Sequence, residues 1–290
     1  MNKIALLSGG TSSEREVALK SSELFKEFLN KNYDFYDLPK DMDLFLENKD
    51  KYDFAIPVFH GIFGEDGMIF AFLNSLGINT CFSPFQTHSI CLDKFKSNIL
   101  AENIGLKIPK QFIYEGKLEI DNFPLIIKPN TGGSSLYTYK VDSLEDFNDK
   151  IKFIQKNIND DILVQEFIIG DEYSVSVVAG EVLPIMKVEK KEKEDFFDFD
   201  SKYNSLEKMQ ETWPKLDKNL NINLNNLSLK IYNFFKCRGF SRVDFLVNEN
   251  GIYFLEVNTI PGMTKSSILP KSWLLTGRTF DELIFKIIND

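Results

Sequence analysis

The stretch Arg242-Val243-Asp244-Phe245-Leu246-Val247-Asn248-Glu249-Asn250-Gly251-Ile252-Tyr253-Phe254-Leu255-Glu256-Val257-Asn258 carries the strongest structural signal in the chain. Two runs rich in β-branched and aromatic residues flank a turn containing Asn-Gly, the pattern of a β-hairpin. Its register decides what the hairpin presents. A two-residue turn at Asn250-Gly251 sets Asp244 and Glu256 on opposite faces. A three-residue loop, with Gly251 left-handed, sets Asp244 across from Glu256 and Arg242 across from Asn258, all on one face. That face then holds two carboxylates, an amide oxygen and a guanidinium. Hard oxygen ligands of this kind suit Mg2+, which also takes ligands from bound phosphates. A solvated, charged hairpin face is the other reading, because cross-strand charge pairs are common.

Working outward, residues 125–128 read as a buried strand that ends at Lys128 and opens into Pro129-Asn130-Thr131-Gly132-Gly133-Ser134-Ser135. Glycines let backbone N–H groups approach phosphate oxygens, and hydroxyls add donors; a plain turn is the alternative. This is not a Walker loop, since the lysine precedes the glycines and no Gly-Lys-Ser/Thr exists. Phe196-Phe197-Asp198-Phe199-Asp200-Ser201-Lys202-Tyr203 mixes rings and acids, which suits a loop folding over a ligand or a solvated loop with a few buried rings. The run at 190–194 reads as a solvated loop.

At the N-terminus, a short apolar run at 3–7 leads into Gly9-Gly10-Thr11, then a helix at 14–29 with Val17, Leu24, Phe25 and Phe28 near helical spacing. A second apolar strand at 54–59 ends at His60-Gly61-Ile62-Phe63-Gly64-Glu65-Asp66-Gly67. Strands alternating with helices predict a parallel sheet with sites at the strand C-termini, where both glycine segments lie. A lone histidine is more often structural than catalytic, and His88 is read as structural. The pattern changes near residue 84. Beyond it come an amphipathic helix at 142–158, strands at 162–167 and 173–178, a helix at 224–235, the hairpin, a polar loop and a short helix from Phe280.

Composition sets limits. The 290 residues suggest about two domains at ~150 residues each. Lys+Arg 34 against Asp+Glu 43 gives a net charge of −9. A duplex-binding protein needs a basic face, so no nucleic-acid partner is expected; a few local lysines still suffice for a phosphate ligand. No apolar run approaches the ~20 residues that cross a bilayer, and residues 4–7 are too short for a signal-peptide core. A cytoplasmic protein with no membrane partner is therefore expected. Cys81, Cys91 and Cys237 have no metal-ligand spacing and read as reduced thiols. With only 2 histidines, a multi-histidine zinc site is excluded.

Taken together, these segments resemble the D-alanine–D-alanine ligases of the ATP-grasp superfamily, almost from end to end. The resemblance rests on Gly9-Gly10-Thr11-Ser12-Ser13-Glu14-Arg15-Glu16-Val17, His60-Gly61 with Gly64-Glu65-Asp66-Gly67, and Leu92-Asp93-Lys94. The most specific segment is Glu256-Val257-Asn258-Thr259-Ile260-Pro261-Gly262-Met263-Thr264. It implies an α/β protein, α+β in the ATP-binding part: an ATP-grasp fold with an N-terminal Rossmann-like parallel-sheet domain. The implied units are residues 1–83, a central subdomain at 84–164 and a C-terminal subdomain at 165–290. The implied reaction joins two D-alanines at the expense of ATP, with a pair of Mg2+ ions (Mn2+ as a substitute), for peptidoglycan synthesis, in a homodimer.

Roles carry over from the resemblance position by position. Lys94 and Lys128 match the lysines on the α- and β-phosphates, and Lys202 the one at the γ-phosphate. Asp244, Glu256 and Asn258 match the metal ligands. Gln165, Glu166, Phe167 and Ile168 match the strand that receives adenine, and Glu172 the ribose-binding acid. Glu14 matches the acid that pairs with the first D-Ala ammonium, and His60 the histidine beside its carboxylate. Ser134 and Tyr203 match a hydrogen-bonded set with Glu14 that closes a loop. Arg242 and the Gly262 N–H match the oxyanion hole, and Ser267 with the Ile268 N–H the site for the second carboxylate. Three positions depart from the family pattern: Tyr137 stands where glycine is usual, Gly132 where an acid is frequent, and Cys81-Phe82-Ser83 where Thr-Gly-Ser is usual. The alternatives are a ligase taking D-lactate or D-serine as second substrate, and a silent ATP-binding module. Tyr203 after Lys202 argues against the first. Intact Lys94, Lys128, Lys202, Arg242, Asp244, Glu256 and Asn258 argue against the second.

Overall fold

The computed structural model describes residues 3–12, 14–117, 122–133, 135–190 and 209–290. Ser134, Lys202, Tyr203 and most of the 190–194 run lie outside the described residues. The chain begins with β1 (Ile4–Gly9), α1 (Arg15–Leu29), β2 (Tyr33–Leu38), α2 (Met42–Asn48), β3 (Phe54–Val58), α3 (Met68–Ser75) and β4 (Asn79–Thr80). These strands form a parallel sheet in the order β2-β1-β3-β4. Ala5, Leu6, Leu7, Ala55 and Ile56 are fully buried, which is why β1 and β3 read as unbroken apolar runs. Helix α1 buries Ala18, Ser21, Ser22, Leu24, Phe25 and Leu29 on one face and ends at a left-handed Asn30.

Next come α4 (Phe85–Leu92), α5 (Lys94–Asn103), β5 (Gln111–Ile113), β6 (Leu125–Pro129), β7 (Tyr139–Val141), α6 (Leu144–Asn157) and β8 (Ile162–Glu166). The strands form an antiparallel sheet in the order β5-β8-β6-β7. Phe147, Ile151 and Ile154 on one stripe of α6 bury against Leu125, Ile127 and Val164. Ser143 caps this helix by accepting the Asp146 N–H.

The third sheet holds β9 (Asp171–Val178), β10 (Glu181–Val182), β11 (Met186–Lys190) and β12 (Met209–Thr212), then β13 (Phe240–Asn248) and β14 (Gly251–Asn258) after helix α7 (Lys218–Phe234). Its order is β12-β11-β9-β13-β14, with β10 beside β9. Helix α7 starts earlier than its periodicity suggests, because the Asp217 carboxylate accepts the Asn219 and Leu220 N–H groups. Leu224 and Ile231 of α7 pack with Val175, Val243, Phe245 and Phe254, and α4 and α5 add Cys91 and Ala101 to the same core.

The hairpin reaches its register by a route the sequence did not suggest. Asn248 pairs with Gly251, so the turn is the two residues Glu249-Asn250. Gly251 lies in the strand with φ +138° rather than in the left-handed helical region. The Asn248 Oδ1 accepts the Asn250 N–H at 2.9 Å and closes the turn one residue early. A bulge at Leu255 then restores the missing residue, because the pairing shifts between Asp244 and Phe245. Asp244 therefore pairs with Glu256 and Arg242 with Asn258.

The last helices, α8 (Ile268–Leu274) and α9 (Phe280–Ile288), return to the parallel sheet. Trp273, Leu283, Ile284 and Ile287 join the core of Leu6, Phe25 and Phe82. A charge clasp fixes this return: Glu181 of β10 accepts from Arg278 at 2.7 and 3.0 Å and from Lys286 at 2.6 Å. Arg278 first, then Lys286, hold the Glu181 carboxyl down at about 2 against the opposing effect of burial. Among the described residues, no helix is long and apolar enough to cross a membrane. The three cysteines are buried and unbridged.

His88 is wholly buried in α4. Its ring stacks on Phe70 at 3.9 Å, and Nδ1 lies 2.7 Å from the Thr259 hydroxyl. Burial pushes its pKa down to about 3, against about 6.5 in the unfolded chain. The folded state thus stays neutral where the unfolded state takes up a proton. Stability is complete above about pH 6.5 and falls with pH below it, by at most ~1.4 kcal/mol per unit. His88→Phe keeps the stack and removes the titrating group. Between pH 6.5 and 5, above the carboxylates, its urea-unfolding free energy should fall less steeply than wild type, by about one proton's worth of slope. Identical slopes would show that His88 does not contribute to acid lability.

Candidate active site

Two adjoining clefts open where the C-terminal edge of the parallel sheet meets the glycine loop and the hairpin. One, of about 270 Å³, is lined by Glu14, His60, Glu65, Lys94, Gly133, Arg242, Glu256, Asn258 and Gly262, among others. The other, of about 220 Å³, adds Lys128, Glu172 and Asp244 and shares Lys94, Gly132, Gly133, Arg242 and Glu256 with the first.

Glu14 stands at the N-cap of α1. The Ser12 hydroxyl accepts the Glu14 N–H at 3.2 Å and donates to the His60 carbonyl at 2.7 Å, tying the end of β1 to the end of β3. Gly61 has φ +68°, and a Cβ there would sit 3.0 Å from Ser12 Oγ and 3.2 Å from Glu14 Oε2. Only glycine suits that position. His60 is buried, with Nε2 3.1 Å from Ser21 Oγ and Nδ1 3.5 Å from Glu65 Oε1.

Lys94 is placed by a network around Asn130. Asp93 accepts from the Lys96 N–H and the Asn130 amide, both at 2.9 Å. Asn130 in turn accepts the Phe95 N–H at Oδ1 and the Lys94 N–H at its carbonyl. The Lys94 Nζ then donates to the Gly132 carbonyl at 2.5 Å and lies 3.6 Å from Glu256.

On the hairpin face, Arg242 Nε donates to Asp244 Oδ1 at 3.0 Å and Nη2 to Oδ2 at 2.8 Å. Ser174 of β9 donates to Asp244 Oδ1 at 2.5 Å. Burial works against the Arg242 charge, but Asp244, then Glu256 and Glu172, raise its pKa above the usual guanidinium value. Arg242 Nη1 makes no hydrogen bond among the described residues, and Arg242 lines both clefts.

A family model described as D-ala D-ala ligase C-terminus matches residues 105–289. A D-alanine–D-alanine ligase from Fusobacterium nucleatum is 37% identical over 287 residues, covering 97% of this chain and 96% of its own length. The chain belongs to the D-alanine–D-alanine ligase family. The crystal structure of the Bacillus anthracis ligase superposes with a TM-score of 0.87 at 31% identity, covering 100% of this chain and 97% of that one. The same enzyme complexed with ATP gives 0.84 at 30% identity, with the same coverage. The VanG D-Ala:D-Ser ligase from Enterococcus faecalis gives 0.82 at 26% identity, covering 100% and 99%. The ATP-grasp fold with its N-terminal parallel sheet, expected from the sequence, is the fold of this chain.

Within this ligase fold, the remaining expected residues lie around the clefts in different ways. The Gln165 side chain is buried and donates to Gln111 at 2.8 Å. Glu166, Phe167 and Ile168 line a separate, open cleft with residues 247–250 and Tyr253. The Asn258 Oδ1 accepts the Ile260 N–H at 3.0 Å and starts the 259–264 loop. Ser267 sits behind that loop, where its hydroxyl accepts the Thr264 N–H at 3.2 Å and lies 2.7 Å from Thr264 Oγ1. Ile268 is the first residue of α8.

Tyr137 takes φ +57° and Ser135 φ +56°, the conformation a glycine adopts freely. Packing against Phe153, with ring centroids 6.2 Å apart, offsets part of that cost. Asp244, Glu256 and Asn258 offer hard oxygens that fit Mg2+. No group of three or more His, Cys, Asp or Glu side chains suited to a metal occurs among the described residues. An ion here would complete its shell from phosphates and water, as Mg2+ commonly does.

Three contributors escaped the sequence reading. Ser174 sits in a strand whose neighbours Tyr173 and Val175 are core; the signal was the alternation Glu172, Ser174, Ser176. Ser21 is a polar residue on the buried stripe of α1. Glu65 was visible only as part of a glycine-rich motif.

A Cβ on Gly262 would approach Ser267 Oγ to 2.8 Å. Gly262→Ala should therefore displace Ser267 from Thr264 and cost about 1 kcal/mol in urea unfolding. Ser267→Ala should cost about the same, and the double variant no more than either alone. Additive losses would mean that the two residues are not in contact.

Proposed function

We propose that the protein joins two D-alanines into D-alanyl-D-alanine, using ATP, and so supplies a peptidoglycan precursor. The observation that carries this reading is the meeting of the two clefts at Lys94, Arg242 and Glu256. One cleft offers groups for an amino acid, the other groups for phosphates, and the reacting atoms belong where they join.

A carboxylate is a poor acyl donor because its leaving group would be oxide. One oxygen of the first D-Ala carboxylate attacks the γ-phosphorus, the bond to ADP breaks, and an acyl phosphate remains. The deprotonated amine of the second D-Ala adds to the carbonyl carbon. The nitrogen gives up one proton, the tetrahedral species expels phosphate, and the peptide bond remains. Catalysis is mostly positioning and charge stabilisation.

In this scheme Glu14 pairs with the first ammonium and His60 lies beside its carboxylate. Lys94 and Lys128 run along the α- and β-phosphates, with Lys202 at the γ-phosphate. Glu172 takes the ribose, and Gln165, Glu166, Phe167 and Ile168 the adenine. Asp244, Glu256 and Asn258 hold Mg2+, which when bound neutralises charge on the phosphates. The Arg242 Nη1 and the Gly262 N–H face the developing oxyanion, while Asp244 fixes the rest of the guanidinium. Ser267 and the Ile268 N–H receive the second carboxylate. Ser134 and Tyr203 close a loop with Glu14, which keeps water from the acyl phosphate. The assembly proposed is a homodimer in the cytoplasm.

Phosphate release from ATP and Mg2+ tests the reading, with D-Ala alone, L-Ala alone, and D-Ala together with D-serine or with D-lactate, and the product identified by mass. Release with D-Ala alone, with D-Ala-D-Ala formed, is expected. ATP binding without release under any addition would mean a silent module. Release only when D-serine or D-lactate accompanies D-Ala would mean a different second substrate. Arg242→Ala would strand a buried carboxylate, so the conservative variant is the sharper probe. Arg242→Lys keeps the charge beside Asp244 but loses the fork and Nη1. Dipeptide formation should fall about 10²–10³-fold, with ATP affinity within a few-fold. Equal losses in both would make Arg242 a scaffold residue.

A further inference from the structure

Ser21 lies on the buried face of α1 with no exposure to solvent. A serine on such a face commonly returns its hydroxyl to a carbonyl of its own helix. Its neighbour Ser22 does so, donating to the Leu19 carbonyl at 2.7 Å. Ser21 instead reaches out of the helix in two directions. Its Oγ accepts the Met263 N–H at 3.3 Å and lies 3.1 Å from His60 Nε2.

The proton positions follow from what each partner can do. A backbone N–H only donates, so Met263 occupies a lone pair of Ser21. One lone pair and the proton of Ser21 remain, so the direction of the 3.1 Å contact to His60 Nε2 follows the tautomer of the ring: Nε2 accepts the Ser21 proton when the ring carries its own proton on Nδ1. On the other side of the ring, Nδ1 faces Glu65 Oε1 at 3.5 Å. A carboxylate presents only lone pairs, so this side favours a proton on Nδ1. The Glu65 side favours the Nδ1–H tautomer, and the Ser21 hydroxyl complements it by donating to Nε2.

The hydroxyl also joins three separate pieces of the cleft. Glu14 begins α1, two turns before Ser21. His60 lies two residues beyond β3. Met263 follows Gly262 in the loop that closes the cleft from the hairpin side. A shift of any one of them strains a contact to Ser21.

We infer that Ser21 is a positioning residue, one that fixes the His60 tautomer and ties that imidazole to the Gly262 loop so that the first D-alanine site and the oxyanion site keep one geometry. The inference rests on the ligase reading of the cleft for its kinetic consequence, but not for its structural one. It assigns no proton transfer to Ser21, which touches no substrate.

The test uses Ser21→Ala and Ser21→Thr in the full chain. With 2 histidines in the sequence, ring-nitrogen NMR reads His60 against His88 as an internal reference. Wild type should show His60 protonated on Nδ1. Ser21→Ala should move it toward a mixture with the Nε2–H form and leave His88 unchanged. In steady-state assays Ser21→Ala should raise the KM of the tighter D-alanine site about tenfold, the scale of one lost hydrogen bond. The KM for ATP should stay within twofold. Ser21→Thr, which keeps the hydroxyl, should restore both the tautomer and the KM. An unchanged His60 tautomer in Ser21→Ala, or a parallel rise in both KM values, overturns the inference. Absence of dipeptide from wild type would instead overturn the ligase reading, and the tautomer would still decide the role of Ser21.

Discussion

Asp244 is a side chain held almost out of water, and the Arg242 fork is what compensates its burial. A charge in that position costs several kcal/mol unless it is paired and hydrogen-bonded. Arg242 supplies the opposite charge in a planar, two-point geometry, and Ser174 satisfies a further lone pair. The pair is mutually orienting. Asp244 holds Nε and Nη2 of the guanidinium, and leaves Nη1 without a hydrogen bond among the described residues. The same strand register that creates the pair also sets Glu256 across from Asp244 and Asn258 across from Arg242. One residue of slip would send the whole set to the apolar face, where α7 packs.

The other half of the cleft is assembled by distant segments that depend on close approach. Glycine at 61 leaves room for Glu14 between the ends of β1 and β3, and the Gly133 backbone comes near the same carboxylate. Asn130 and Asp93 hold Lys94 against the glycine loop. The 259–264 loop runs from the hairpin to α8, whose Trp273 lies in the core of the parallel sheet. The Glu181 clasp to Arg278 and Lys286 closes that path on the far side. Gly262 is therefore anchored at both ends, by the antiparallel sheet before it and by the parallel-sheet core after it.

What the sequence revealed divides along physical lines. The parallel sheet was legible because strands buried on both faces must be apolar throughout, as residues 4–7 and 54–58 are. The facing of Asp244 and Glu256 was legible because side chains alternate along a strand. The means was not: an early turn and a compensating bulge at Leu255 give the same facing as a longer loop, and only the backbone separates the two. Ser21 and Ser174 were hidden because a small polar residue in a buried stripe looks like a tolerated one until its partner, from another segment, is in place. The packing of α8 and α9 on the first sheet was equally hidden, since an amphipathic helix shows that it has a buried face and not which core receives it. Motif resemblance reached Glu14, Lys94 and Gly262 where spacing alone had no claim on them.

The central claim is that the carboxylate pair across the hairpin receives the metal that accompanies ATP. Calorimetric titration of ATP, with and without Mg2+, tests it on wild type, Asp244→Asn and Glu256→Gln. Mg2+ should strengthen ATP binding to wild type. Each single variant should lose most of that enhancement while keeping metal-free ATP affinity within a few-fold, and the double variant should add little further loss. Full Mg2+ enhancement in both variants would contradict the account and place the metal on other ligands.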